Sequence, residues 1–192
     1  MKNKGLIALV LAAAVLSGCA FNPQQASLNP TLNISESQVG NNTKVAVQVI
    51  DERADKSLGR RGTAYGDAAE ITAKQDLATV VQQEIEKGLV KQGFIVSEKA
   101  DADSVLMVEI RALEYSTSTG FWTGGVHIKG AFKSRAKNAD SDMEKMYRYE
   151  KEERVVVVPT AETNEQWINE ALTETLNKLI TDGELLNFLS AK

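Results

Sequence analysis

The sequence predicts an α+β domain in which a mixed, mostly antiparallel sheet of about five strands carries two amphipathic helices on one face. Three observations predict it. Apolar and polar residues alternate over 44–51, 104–115, 126–137 and 145–158, the period of strands with one buried side. Apolar residues recur at three- and four-residue steps in two other stretches, 77–91 and 167–180, the period of helices with one buried face. The order is strand, helix, a run of strands, helix, and that segregation is typical of helices gathered on one side of a sheet. With 192 residues, the chain suits one globular domain.

The N-terminus comes first. Lys2 and Lys4 precede an uncharged apolar run at 5–16, too short to cross roughly 30 Å of hydrocarbon and suited to a secretory signal. Leu16-Ser17-Gly18-Cys19 follows, a branched apolar residue and two small ones ahead of the only cysteine. This resembles the lipobox of bacterial lipoproteins. The resemblance implies cleavage before Cys19, a diacylglycerol in thioether linkage to its sulfur and an acyl chain on its amine. Residues 1–18 are then a signal peptide, and no cofactor beyond these covalent lipids is expected. Removing Lys2 and Lys4 from 22 basic residues leaves 20 against 26 acidic ones, a formal charge of -6 in place of -4. Lipid must therefore do the anchoring, and two or more chains at about 0.8 kcal/mol per buried CH₂ suffice. Ala20 follows the cysteine where an Asp would imply inner-membrane retention. The resemblance thus implies the outer membrane, with the domain facing the periplasm.

Residues 19–43 are expected to be a lipidated tether: 20–43 is rich in Asn, Gln, Ser and Thr, holds two of the three prolines and carries one charge, Glu36. If flexible it would reach roughly 25–30 Å. Leu32 and Ile34 alternate, so 31–35 is a candidate edge strand. The domain proper is 44–192.

Within it, Val45, Val47 and Val49 make 44–51 a largely buried strand, and 53–71, with three glycines and no period, reads as a long loop. Thr72-Ala-Lys-Gln75 resembles a capping box ahead of the first helix, with Gly93 placed for a left-handed stop. Phe94 to Ser97 is a short strand. In 104–115, Leu106, Val108, Ile110 and Ala112 are expected to face the core. In 126–137, Val126, Ile128, Gly130, Phe132, Ser134 and Ala136 face inward, and the other side is basic. The strand at 145–158 carries Glu150, Glu152 and Glu153, so the hairpin sets opposite charges across from one another. Thr163-Asn-Glu-Gln166 repeats the capping pattern before the second helix, Asp182-Gly183 stops it, and a short helical turn at 184–189 closes the chain.

Three features together resemble the YajG family of bacterial lipoproteins: LSGC at 16–19; the strand VAVQVIDER at 45–53, linked to TAKQDL and an amphipathic helix running into KQGF at 91–94; and the C-terminal ELLNFL. The resemblance covers nearly the whole mature chain. It supports localisation and architecture and carries no catalytic signature.

Composition narrows the chemistry further. An acidic chain with 6% aromatics lacks the clustered cations and stacking rings that nucleic acids require. One Cys and one His exclude thiolate cages and multi-imidazole metal sites. Ser134-Arg-Ala-Lys137 matches S-x-x-K, but strand alternation puts Ser134 and Lys137 on opposite faces and the companion boxes are missing. His127 has no nucleophile or carboxylate orienter that can be named around it. The pairs Asp101/Asp103 and Asp140/Asp142 lie at turns lacking the Gly and distal Glu of a calcium loop. Arg53 is expected to pair with Asp51 and hold the following loop.

Two segments are candidate binding sites. Phe121 and Trp122 stand between glycines and threonines at 120–125, where they serve either as an exposed anchor or as a lid on the sheet. Arg60 and Arg61 lie at 58–62, where guanidinium forks suit a carboxylate. The leading expectation is a non-enzymatic, lipid-anchored envelope protein whose periplasmic domain binds another envelope component, a protein. The second is a module that binds peptidoglycan glycan or peptide through Phe121, Trp122, Arg60 and Arg61. Inhibition of lipoprotein signal peptidase should leave a larger precursor, and Cys19→Ser should abolish maturation and membrane fractionation; a Cys19→Ser chain that matures and fractionates unchanged overturns the lipobox reading.

Overall fold

The computed structural model describes residues 22–61, 69–119 and 124–191. In chain order its elements are β1 (Gln24–Ala26), β2 (Lys44–Asp51), β3 (Gly59–Arg61), β4 (Ala69–Ala73), α1 (Leu77–Lys91), β5 (Ile95–Val96), β6 (Ser104–Thr119), β7 (Gly124–Lys137), β8 (Asp142–Val155), α2 (Ala161–Ile180) and α3 (Gly183–Ser190). The α+β class is as expected, but the described residues form eight strands rather than about five.

The skeleton is the antiparallel meander β6–β7–β8. The far side of β6 is shared between two groups. Its first half pairs in parallel with β2, which carries β5 at its outer side; near Tyr115 it meets β3, followed by β4 and β1. The sheet therefore forks along one 16-residue strand. Gly59 makes the second branch feasible: its φ is +126°, and a Cβ there would stand 1.8 Å from the Tyr115 carbonyl oxygen.

Inward positions follow the predicted alternation on β7, where Val126, Ile128, Phe132, Ser134 and Ala136 are all buried. On β6, Leu106, Val108 and Ile110 face the core as expected. A bulge between Ile110 and Ala112 then shifts the row, so that Leu113 and Tyr115 continue it. Both helices lie on this face, α1 against β2 and α2 across β6, β7 and β8. The crossing of α2 is close at Gly130, where a Cβ would stand 2.2 Å from Thr175 Oγ1 and 3.0 Å from the Ala171 carbonyl oxygen.

The helix starts differ from expectation. Asp76 caps α1, accepting from Thr79 N at 2.8 Å, while Thr72 belongs to β4. Gln75 instead bonds the backbone of Leu28 through both amide atoms. Thr160 caps α2, so 163–166 forms part of its first turn. The stop of α1 is as predicted, with Gly93 at φ +85°.

The largest difference concerns the expected tether. Its described part, residues 22–43, lies docked across the helices as a strap. The strand in it is β1 at 24–26, paired with β4, rather than 31–35. Backbone amides of Ser27, Asn29 and Thr31 donate to Glu165, Asn169 and Thr173 along α2. Ser37 N and Gly40 N then donate to the carbonyls of Lys91 and Gln92 at the end of α1. Ala26, Leu28 and Ile34 join the core at 0%, 2% and 8% exposure, which offsets the entropy of ordering a polar segment.

The strap is fixed at its start by a buried polar knot. Tyr115 OH donates to Asn164 Oδ1 at 2.7 Å, Asn164 Nδ2 donates to Gln24 Oε1 at 3.1 Å, and Arg61 also donates to Gln24 Oε1 at 3.2 Å. Gln24 Nε2 completes the set by donating to the Ala161 carbonyl at 2.6 Å. Burial pushes the Tyr115 hydroxyl up to about 12, so it remains a donor across the physiological range.

Gly130→Val should lower stability by about 1–3 kcal/mol, because a backbone carbonyl and a bonded hydroxyl both occupy the space; an unchanged urea midpoint would contradict this crossing. Asn164→Ala should cost about 1–3 kcal/mol by leaving two buried groups short of a partner. It should also speed hydrogen exchange at 27–31, and unchanged protection there would mean that the knot does not hold the strap.

Candidate functional site

A concavity with a largely apolar lining lies where the strap passes α1. Pro30, Leu32 and Ile34 form one wall, and Val90, Lys91 and the backbone at Gly88 form the other, with Val96 of β5 at one end. The groove encloses about 800 Å³, and Gln83, Glu84, Glu86 and Lys87 supply a polar rim. Its wall holds apolar surface that no element covers: Val90 is 57% exposed. The reason is local. Val90 falls on the outer side of α1 one residue beyond the buried row Leu77, Val81, Ile85, Leu89. An apolar floor with a charged rim can take up an apolar or amphipathic segment.

A second concavity, of about 770 Å³, lies between the end of β2 and the start of α1. Its centre is the Asp51–Arg53 pair. Arg53, buried, donates through Nε and Nη2 to the two Asp51 oxygens at 3.0 Å each, and through Nη1 to the carbonyls of Ser57 and Leu113. Burial pushes Asp51 up, but the bonds from Arg53 outweigh it and hold the carboxyl below its usual range. The guanidinium is thus fully engaged in closing 52–58, as the sequence predicted.

The uncovered face of the sheet is a lattice of charges. Glu109, 3% exposed, sits between Arg111 and Arg135 at 2.9 and 3.1 Å, and Glu144 bridges Lys133 and Arg135 at 2.7 and 3.0 Å. His127 is exposed there with Glu152 3.9 Å away. At the helix-facing edge of β8, Lys151 and Tyr149 both donate to Glu170, and Lys145 and Tyr147 to Asp182, the cap of α3. Hydrogen bonds from Lys145, Tyr147 and Leu185 N outweigh burial and hold Asp182 below the usual carboxylate range. These charges are paired to one another across strands and helices, as the predicted hairpin complementarity requires.

The sequence-predicted site residues do not converge. Arg60 is exposed on β3, whereas Arg61 is 7% exposed and built into the knot with Gln24, so the pair is part of a strand rather than a loop. Phe121, Trp122 and Cys19 lie outside the described residues. Ser134 is buried under the helices and Lys137 is exposed on the opposite face, as alternation required. Asp103 accepts from Lys44 N at 2.9 Å, and Asp140 and Asp142 flank a turn closed by Asn138 Oδ1. Among the described residues no three His, Cys, Asp or Glu side chains gather as a metal site, and no helix is long and apolar enough to cross a membrane.

Sequence reasoning missed the groove and the knot. A signal for the knot existed: Asn164 lies on the same helical stripe as Ile168, Ala171, Leu172 and Leu176, where a polar residue needs a buried partner. No comparable signal marked Pro30 and Leu32 as a groove wall, because their neighbour across the groove is 55–60 positions away in the chain.

The comparisons agree with the sequence and the fold. The lipoprotein YajG of Escherichia coli strain K12 is 22% identical over 189 residues, covering 97% of this chain and 96% of that protein, and YajG of E. coli O6:H1 matches equally. A crystal structure of a DUF330-family protein from Xanthomonas campestris shares the fold, with a TM-score of 0.56 at 12% identity, over 86% of this chain and 95% of that one. The family model described as "Uncharacterized lipoprotein" matches residues 30–190, so it includes the groove wall at Pro30, both large helices and the whole meander. The chain therefore belongs to this lipoprotein family, and its likeness to YajG runs along nearly its whole length.

Proposed function

We propose that this lipoprotein acts without catalysis: anchored to the outer membrane through lipid on Cys19, it binds another envelope protein with its periplasmic domain. The observation that carries the reading is the apolar groove between the strap and α1, with Val90 left exposed on its wall. Apolar side chains lining a concavity with a charged rim are what a protein segment would cover. A helix or strand laid in the groove would meet Leu32, Ile34, Val90 and Val96 on its apolar side and Glu84, Glu86, Lys87 and Lys91 on its flanks. β5 ends the sheet on this side, so an extended segment would also find backbone groups there.

The wall-binding alternative has less to stand on among the described residues. Arg61 is committed to the knot, which leaves Arg60 alone at the surface.

A photoreactive residue at position 90 should give a discrete protein adduct in intact cells, and one at Asp140, in the β7–β8 turn, should not. Adding Val96→Asp, on the groove wall, should reduce the adduct at position 90 at least several-fold without changing the far-ultraviolet circular dichroism. Recovery of the uncrosslinked chain alone from both positions would overturn the groove as a protein-binding site.

A further inference from the structure

The strap changes where the domain can sit. A free tether would hold it roughly 25–30 Å from the lipid. With the chain docked from Gln24 onward, two residues separate Cys19 from Asn22, three steps that span at most about 11 Å at 3.6 Å per residue. This inference rests on lipid attachment at Cys19. Given that attachment, the end of the domain that holds Asn22 and Gln24 is drawn onto the bilayer.

That end carries an unusual surface. Gln24 bonds the Ala161 carbonyl, and three residues before Ala161 the chain leaves β8 through Val156, Val157 and Val158, which are 83%, 76% and 38% exposed. Val156 and Val157 are the two most exposed large apolar residues among those described. No charge occurs from Val155 to Ala161, nor along the strap from Asn22 to Ser35. In water such a run is a liability. At a bilayer boundary it is suited to its surroundings, because apolar side chains gain there and charges, the costly groups, are absent.

We propose that Val156–Val158 is a membrane-contacting turn. The anchor at Cys19 and this turn together hold the domain in one orientation, with the β7–β8 turn at 138–141 pointing away from the lipid. The hairpin between them spans 14 paired positions, so Asp140 stands roughly 40 Å from the valines along the strand direction.

The test uses the full lipidated chain in phosphatidylethanolamine–phosphatidylglycerol vesicles. Because lipid occupies the Cys19 sulfur, Val157→Cys and Asp140→Cys each provide one thiol for an environment-sensitive fluorophore. The probe at 157 should be blue-shifted and quenched at least twofold more by spin-labelled lipid than the probe at 140. Equal quenching at the two positions, with the chain still floating with the vesicles, overturns the turn as a lipid contact and leaves the anchor intact. A chain that does not float overturns the attachment itself and the inference with it. A probe at 157 that is shielded from aqueous iodide in native outer-membrane fragments but beyond reach of spin-labelled lipid assigns the turn to a protein contact and overturns the proposal.

Discussion

The arrangement depends on a handful of buried hydrogen bonds at Gln24. Its amide accepts from Asn164 and Arg61 and donates to Ala161, while Asn164 Oδ1 accepts from the Tyr115 hydroxyl. Four separate pieces of chain meet there: the strap, β3, the far half of β6 and the first turn of α2. Each contributes a polar group that would be costly to bury alone, since an unmade hydrogen bond in the interior costs more than a made one contributes. The knot is therefore a register device. It accepts one placement of the strap against α2, and the ladder of backbone bonds to Glu165, Asn169 and Thr173 follows at four-residue spacing, one per helical turn.

Beneath the knot, the long meander decides how much sheet there is to cover. β6 is longer than either of the strand groups that pair with its free side, so the sheet must fork, and the two branches place β2 under α1 and bring β1, at the end of the other branch, against the start of α2. The helices can then share one face only if α2 approaches the sheet closely. Gly130 permits this, and Thr175, bonded back to Ala171, fits against it. The opposite face has no helix and is kept in solution by crossed ion pairs centred on Glu109, whose burial between two arginines is balanced by their charge. A charged, ladder-like surface of this kind also discourages pairing or stacking with other sheets.

What could be read from the residues follows from the range of the signal. The period of β7, the stripes of α1 and α2 and the stop at Gly93 are written in neighbouring residues, and all four appear as expected. The bulge at Arg111 is a single extra residue and leaves no periodic trace until Tyr115 is seen to be buried. β1 and β3 are three residues long, and no alternation can be detected over such a length. Arg61 illustrates the limit: beside Arg60 and three glycines it reads as a mobile cation, yet its partner Gln24 is 37 positions earlier in a segment that reads as linker. Polar, proline-containing composition describes a chain that gains little by collapsing on itself. It does not describe a chain that finds a prepared surface, and here two helices offer one.

The docked strap ties the features of the molecule together. It begins three residues after Cys19 and runs past the knot, and its middle, Pro30 to Ile34, is one wall of the apolar groove. The groove therefore exists only while the strap is in place; α1 alone would present Val90 on an open helix face. The same segment that lies nearest the proposed site of lipid attachment also completes the candidate binding surface, and the backbone bonds along α2 connect the two. A force or ligand that lifted the strap from α2 would expose Ala26, Leu28 and Ile34 together and remove the groove in the same step, because all three belong to the core cluster and Ile34 also lines the groove. The proposed anchor and orientation would then share one structural state with the groove, set by where the 22 residues of 22–43 lie.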